Sequence, residues 1–300
     1  MNIGPKIGEG HTAEIFLRDN RLAVKRFRPG IPVQLAEAEW RAAQYVTRLG
    51  LPAPAARARE EWQGRPAIVY DYVTGIPLLT HILRSPWRLR RHARQLAVLH
   101  RAVHTHGGTG LPPQKAVLEH QIRSAPLLTD RQKAAVLARL SQLPDGAVTC
   151  HGDLHPDNIL LTPDGPVILD WLTAHCGDPL ADVARTVLML RTGSLPGELP
   201  RPLRSLLQIV RRRFCRLYCT STCASRTGLS SRSLPGSCPS RLPVWPSMCR
   251  RRKSSSFSCV SAPCFVGGLP IRSPARFAAS SAARRCRWPL LRFRSAPAPS

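Results

Sequence analysis

HGDLHPDNIL, residues 151–160, packs two histidines, two aspartates and an asparagine into eight positions, broken by a glycine and a proline. His151 and His155 stand four apart, the spacing that puts two zinc ligands on one helix face. Gly152 and Pro156 argue against a helix here, and no cysteine or glutamate sits at ligand spacing. A plain polar loop is the blander reading, but such loops rarely gather so many ionisable groups beside apolar strands. Phosphoryl transfer accounts for more of the residues. It needs a carboxylate to orient the attacking hydroxyl and accept its proton, and oxygen ligands for magnesium, which draws charge off the phosphates.

Protein kinases meet that need with H-R-D-L-x-x-x-N, followed by a second aspartate on a nearby turn. Here the run His151-Gly152-Asp153-Leu154 to Asn158 puts Asp153 at the base position and Asn158 at a metal position. The apolar runs NILL and VILDW read as two strands joined at Pro163-Asp164-Gly165. They carry Asp170 to the end of the second strand, where another metal ligand is needed.

The N-terminal segment is in keeping. IGEGHTAEIFLRDNRLAVKRF reads as three strands, with a glycine turn at Gly8 and Gly10 able to lie over phosphates and Lys25 on the third strand, as in V-A-I-K. Residues 34–50 have helical periodicity and offer Glu39 or Glu37 to pair with Lys25. EEWQGRPAIVYDYV reads as a hairpin turning at Gln63-Gly64. Beyond Gly75 the pattern is mainly helical, with amphipathic runs in RLRRHARQLAVLHRAVHTH, TDRQKAAVLARLSQL, DPLADVARTVLML and PLRSLLQIVRRRFCRLY. His100 reads as a hydrogen-bonded core histidine and Cys150 as an inert core thiol. Asp178 and Asp182 read as structural groups at a helix N-terminus.

In HGDLHPDN, VILDW and GDPLADVA, residues 3–218 resemble the aminoglycoside phosphotransferase and choline kinase family. The resemblance implies an α+β, protein-kinase-like two-lobed fold, with a nucleotide-binding lobe at 1–74 and a helical lobe at 75–218. It implies an ATP- and magnesium-dependent phosphotransferase acting on a small-molecule hydroxyl. Asp153 would be the catalytic base, Asn158 and Asp170 would bind magnesium, and Lys25 with Glu39 would anchor phosphates. Tyr70 to Val73, including Tyr72, would form the hinge beside adenine. Gly152 replaces the kinase arginine that reads a phosphorylated activation loop, DWL replaces D-F-G, and no A-P-E follows. These departures point to a small-molecule acceptor.

The formal net charge of +26 suggests a nucleic-acid or membrane partner until it is mapped. Residues 211–300 hold 18 Lys and Arg and no acid, leaving 26 basic against 18 acidic residues in 1–210. Eight of the ten cysteines also lie beyond residue 210. Two sparse cysteines, no bilayer-length apolar run and no signal-peptide core suggest a cytoplasmic chain.

From Cys219 the sequence is rich in Ser, Arg, Pro and Cys and shows no helical period. We read 219–300 as translation out of frame. Restoring one base after the Tyr218 codon allows Tyr-Leu-His-Glu-Tyr-Leu-Arg, which would continue the preceding helix, and acids reappear further on. Such a product is expected to fold poorly, for want of the helical face it has lost. The rival reading is a catalytically inactive kinase-like protein whose basic tail binds nucleic acid.

Overall fold

The computed structural model describes residues 3–193 and 200–227. Five antiparallel strands form the first lobe: β1 (Ile3–Glu9), β2 (Ala13–Arg18), β3 (Leu22–Phe27), β4 (Ala56–Trp62) and β5 (Arg65–Asp71), in the order β1-β2-β3-β5-β4. The β2–β3 turn falls at Asp19-Asn20 and the β4–β5 turn at Gln63-Gly64, all four residues at positive φ. Asn and Gly tolerate that conformation, so the register is set where the sequence places it. Gly8 pairs with Ile15, Ile15 with Lys25 and Lys25 with Ile68, so the glycine turn and the lysine share one row across the sheet.

Helix α1 (Val33–Arg48) follows β3 and serves two cores. Ala36 and Ala43 pack on the sheet with Ala13, Phe27, Ala56 and Ile68. Ala42 and Val46 face the other way, into the core of the second lobe. Leu51, just beyond the helix, is buried in that same core, and the Pro52 carbonyl accepts a hydrogen bond from Ile168 N at 2.6 Å. The sheet's other face is covered by Val24, Ala67 and Val69, with Phe16 and Trp62 packed edge to face. The Arg26 guanidinium lies over both rings, 4.8 Å and 4.2 Å from their centres.

The second lobe contains α2 (Leu78–Arg84), α3 (Leu89–His104), α4 (Gln114–Arg123), α5 (Asp130–Ser141), α6 (Pro179–Thr192) and α7 (Arg201–Thr227). Two small sheets lie among them. The first pairs β6 (Ile76–Pro77), β8 (Ile159–Thr162) and β9 (Gly165–Ile168); the second pairs β7 (Val148–Cys150) with β10 (His175–Gly177). The 151–158 segment therefore leaves one sheet and enters the other, and the Asp170 turn makes the return crossing. This is the two-lobed, protein-kinase-like α+β fold. Among the described residues no helix is long and apolar enough to cross a membrane.

Two expectations are corrected here. Asp170 does not end a strand: β9 stops at Ile168, and Asp170 sits in a left-handed turn two residues on. The last helix does not end at Tyr218. It runs to Thr227, with Cys219 and Thr222 buried and Cys223 packed on the core. Small apolar and hydroxyl side chains at 215, 219, 222 and 223 continue one helical face, and Thr220 and Thr222 bond back to the carbonyls four residues earlier. Residues 228–300, the bulk of the tail, lie outside the described residues.

Tyr218 is the largest fully buried side chain, and its hydroxyl meets His100 Nδ1 at 2.6 Å. Tyr218→Phe keeps the ring and strands that nitrogen. We expect a loss of roughly 1–3 kcal/mol in urea unfolding, and a wild-type midpoint would contradict this role for the hydroxyl.

Candidate active site

Lys25 points from β3 into the space between the lobes. Its Nζ donates to Glu39 Oε1 at 2.6 Å and to Asp170 Oδ1 at 3.2 Å. Burial disfavours the ammonium, but the Asp170 and Glu39 carboxylates outweigh it and raise the lysine's pKa. Lys25 is therefore a fixed positive charge. Of the two glutamates left open by the sequence, Glu39 is the partner: it is buried with Ala36 and Ala43 on the sheet-facing side of α1. Glu37 points outward to Arg59 and Arg41.

Asp153 lies at the centre of the 151–158 loop. Burial works against its charge, but His155 and Arg185 outweigh it and hold its carboxyl below the ordinary carboxylate range. His155 Nε2 is 3.6 Å from Oδ2, and Arg185 Nη2 is 3.6 Å from Oδ1. Asp153 is thus an anion, able to accept a hydrogen bond from a hydroxyl. The Asn158 amide donates to the Asp153 carbonyl at 3.1 Å, leaving its side-chain oxygen as the free end. Leu169 N donates to the Asn158 carbonyl at 2.8 Å, so the asparagine and the Asp170 turn are fastened side by side.

Asp170 adopts φ 57° and ψ 71°, uncommon for a residue with a side chain. Trp171, buried beside it, donates its indole N–H to the Ile168 carbonyl at 3.1 Å and packs against the His151 ring. The turn is held from below while the Asp170 side chain stays 43% exposed toward Lys25.

The two histidines of the loop have structural work. His151 is fully buried, and burial lowers its pKa, so it is neutral. Nε2 donates to the Leu169 carbonyl and Nδ1 accepts from Asp153 N. The Nδ1 of His155 accepts from Asp157 N. With these engagements the loop holds no zinc pair. Gly152 has φ +77°, and a Cβ there would lie 2.4 Å from the Thr173 carbonyl, so the position admits glycine alone.

Sequence reasoning also misplaced Asp182. Asp178 does cap α6, accepting from Leu180 N and Ala181 N. Asp182 instead points into the core. Its carboxylate accepts from His151 N and Gly152 N, both at 2.9 Å, and meets His100 Nε2 at 2.9 Å and His104 Nε2 at 3.0 Å. His100, His104 and Asp182 are, among the described residues, the one cluster of three His, Cys, Asp or Glu side chains near enough to share an ion. The carboxylate is already filled by the loop amides and the histidines. Burial opposes its charge, but His100 and His104 outweigh it, and the pKa falls well below the usual value.

The remaining sequence candidates sit as follows. Gly10 N bonds to the Ala13 carbonyl, and Arg28 Nε donates to the Gly10 carbonyl, closing the glycine turn; Gly8 lies within the β1–β2 ladder. Tyr70 belongs to β5 and donates its hydroxyl to Glu39 at 3.0 Å, which puts its side chain behind the ion pair and not along the hinge. Tyr72 follows the strand, and its N–H is taken by the Arg21 carbonyl. Cys150 is buried beside the loop, and burial pushes its thiol pKa up, which leaves it unreactive.

The model of the phosphotransferase enzyme family matches residues 4–217. The chain belongs to that family. No curated protein matches it. Among solved structures it is similar to the GDP and kanamycin complex of APH(2")-IIia, at 18% identity and TM-score 0.45, over 78% of this chain and 89% of that one. It is similar to an aminoglycoside-3'-phosphotransferase of type VIII, at 24% identity and TM-score 0.46, over 70% and 89%. Aminoglycoside phosphotransferase APH(3'')-Id from Streptomyces rimosus shares 21% identity at TM-score 0.45, over 69% and 82%. The family match and the site geometry carry the assignment.

A buried carboxylate with a depressed pKa contributes stability that is present above the unfolded-state value, about 4, and lost as pH falls through the folded value. Wild-type stability should therefore drop below about pH 4, in part through Asp182. Asp182→Asn should lose roughly 1.5–3 kcal/mol at neutral pH and show a shallower acid loss. Urea unfolding across pH checks both; equal acid slopes in the two proteins would remove Asp182 from this role.

Proposed function

We propose that the chain transfers the γ-phosphoryl group of ATP to a hydroxyl of a small molecule, with magnesium. The observation that carries this reading is the chain of contacts from the Lys25–Glu39 pair to Asp170, and from the Asp170 turn through Asn158 to the Asp153 loop. Four separate stretches of chain contribute, and each supplies a group of the kind phosphoryl transfer uses.

Asp153 orients the acceptor hydroxyl and takes its proton. The Asn158 side-chain oxygen and the Asp170 carboxylate, on segments joined by the Leu169 N–H to Asn158 carbonyl bond, are hard oxygen donors of the kind Mg2+ takes. Bound there, the metal would neutralise charge on the phosphate oxygens. Lys25, fixed by Glu39, supplies a cation to the phosphates. The turn at Gly8 and Gly10 is offered as the phosphate cover, and Tyr72 and its neighbours as the adenine-side hinge. Gly152 in place of a phosphate-reading arginine supports a small-molecule acceptor over a protein. We place the activity in the cytoplasm, which the free thiols of Cys150 and Cys176 suit. The tail is read as foreign to this chemistry, a division that the family match ending at residue 217 supports.

Asp153→Ala should lower ATP-dependent phosphoryl transfer by about 10²–10⁴-fold while leaving nucleotide affinity close to wild type. Kinetics paired with calorimetric titration of ATP would show it, and unchanged turnover would remove Asp153 as the base.

A further inference from the structure

Arg185 is a cation set against the candidate base that neither nucleotide nor metal binding uses. It lies on the second turn of α6, and its Nε donates to the Gly152 carbonyl. Nη2 stands 3.6 Å from Asp153 Oδ1, and Nη1 makes no hydrogen bond to any described residue. The side chain is 36% exposed, so the guanidinium is fastened at one nitrogen and open at another. A hydroxyl close enough to give its proton to Asp153 lies about 3 Å from the carboxylate. The rest of the acceptor is then within a few ångströms of Arg185, where charge matters strongly.

The chain that follows has the same sign of charge: residues 183–227 carry nine arginines and one acid, Glu198. Several acids of the second lobe are engaged: Glu119 pairs with Arg123, Asp145 with Lys115, Asp178 caps α6, and Asp182 holds the loop. A polycationic acceptor would meet, beside the candidate base, a guanidinium of its own sign. A carboxylate or phosphate on the acceptor would meet an open guanidinium shaped for it.

We propose that the acceptor is a hydroxyl compound bearing an anionic group, and that Arg185 selects it. This rests on the phosphotransferase reading above. The acceptor oxygen forms a bond to the γ-phosphorus, its proton passes to Asp153, and the bond from that phosphorus to the bridging oxygen breaks, with ADP leaving on the electron pair.

The test uses the full chain with ATP and Mg2+ and one three-carbon series: D-glycerate, glycerol 3-phosphate and glycerol, with choline and kanamycin as cations. ADP release dependent on Asp153 should be stimulated at least about 10-fold more by an anionic member than by the neutral or cationic ones. Whichever of glycerate and glycerol 3-phosphate acts tells carboxylate from phosphate. Arg185→Gln should raise KM for that anion by about 10–100-fold with KM for ATP unchanged, and Arg185→Lys should recover part of it. Stimulation by kanamycin or choline equal to the anions, or a loss confined to ATP, overturns the proposal. Calorimetry of the same series, with a non-hydrolysable ATP analogue bound, decides the case without turnover. Failure of both anions to bind overturns the anionic acceptor. Anion binding without Asp153-dependent turnover overturns the phosphotransferase reading instead.

Discussion

The candidate site depends on one buried charge, the carboxylate of Asp182. It accepts the backbone N–H groups of His151 and Gly152 and is met by His100 and His104 from α3. His100 in turn reaches Tyr218 on α7. Three helices and the loop are thereby fastened to a single anion, and the loop's backbone cannot shift without leaving a charge unsolvated in the core. Asp153 directly follows that anchor. Its position is set by the core of the lobe, and this is why a loop of irregular backbone can hold the candidate base in place.

Above the loop, the site is completed by α1. The helix carries small residues on the face toward the sheet, which lets Glu39 come close enough to Lys25 to bond at 2.6 Å. Larger residues there would hold the helix away. From this pair the contact of Lys25 with Asp170 crosses to the second lobe. The groups proposed to bind phosphate and metal are thereby joined by charge.

The candidate site was legible where it is local in sequence. Asp153, Asn158 and Asp170 sit within twenty residues, and the glycine and turn residues around them constrain the backbone. The first-lobe strands were legible because Asp19-Asn20 and Gln63-Gly64 demand turns. The choice of Glu39 over Glu37 could have been read from Ala36 and Ala43, which share its face at helical spacing. Asp182 carried a signal too: it shares the buried face of α6 with Thr186 and Leu190, and an acid there needs partners. His100 and His104, four apart on α3, supply them. The extension of α7 past Tyr218 was hidden because cysteine and threonine look like loop composition, yet their spacing suffices for a helix laid against a finished core. Tyr70 was misplaced because an aromatic at the end of a strand does not reveal which way its hydroxyl turns.

The end of α1 has a mechanical consequence. Leu51 is buried in the second lobe's core, and the Pro52 carbonyl holds Ile168 N, two residues before Asp170. Although it lies in the first lobe by sequence, this end of the helix belongs with the lower body. α1 is thus tied at its end to the lower body and along its other face to the sheet. Lys25 is the cation that Glu39 on this helix and Asp170 beyond the cleft hold in common, so one ammonium clasped between two carboxylates closes the seam.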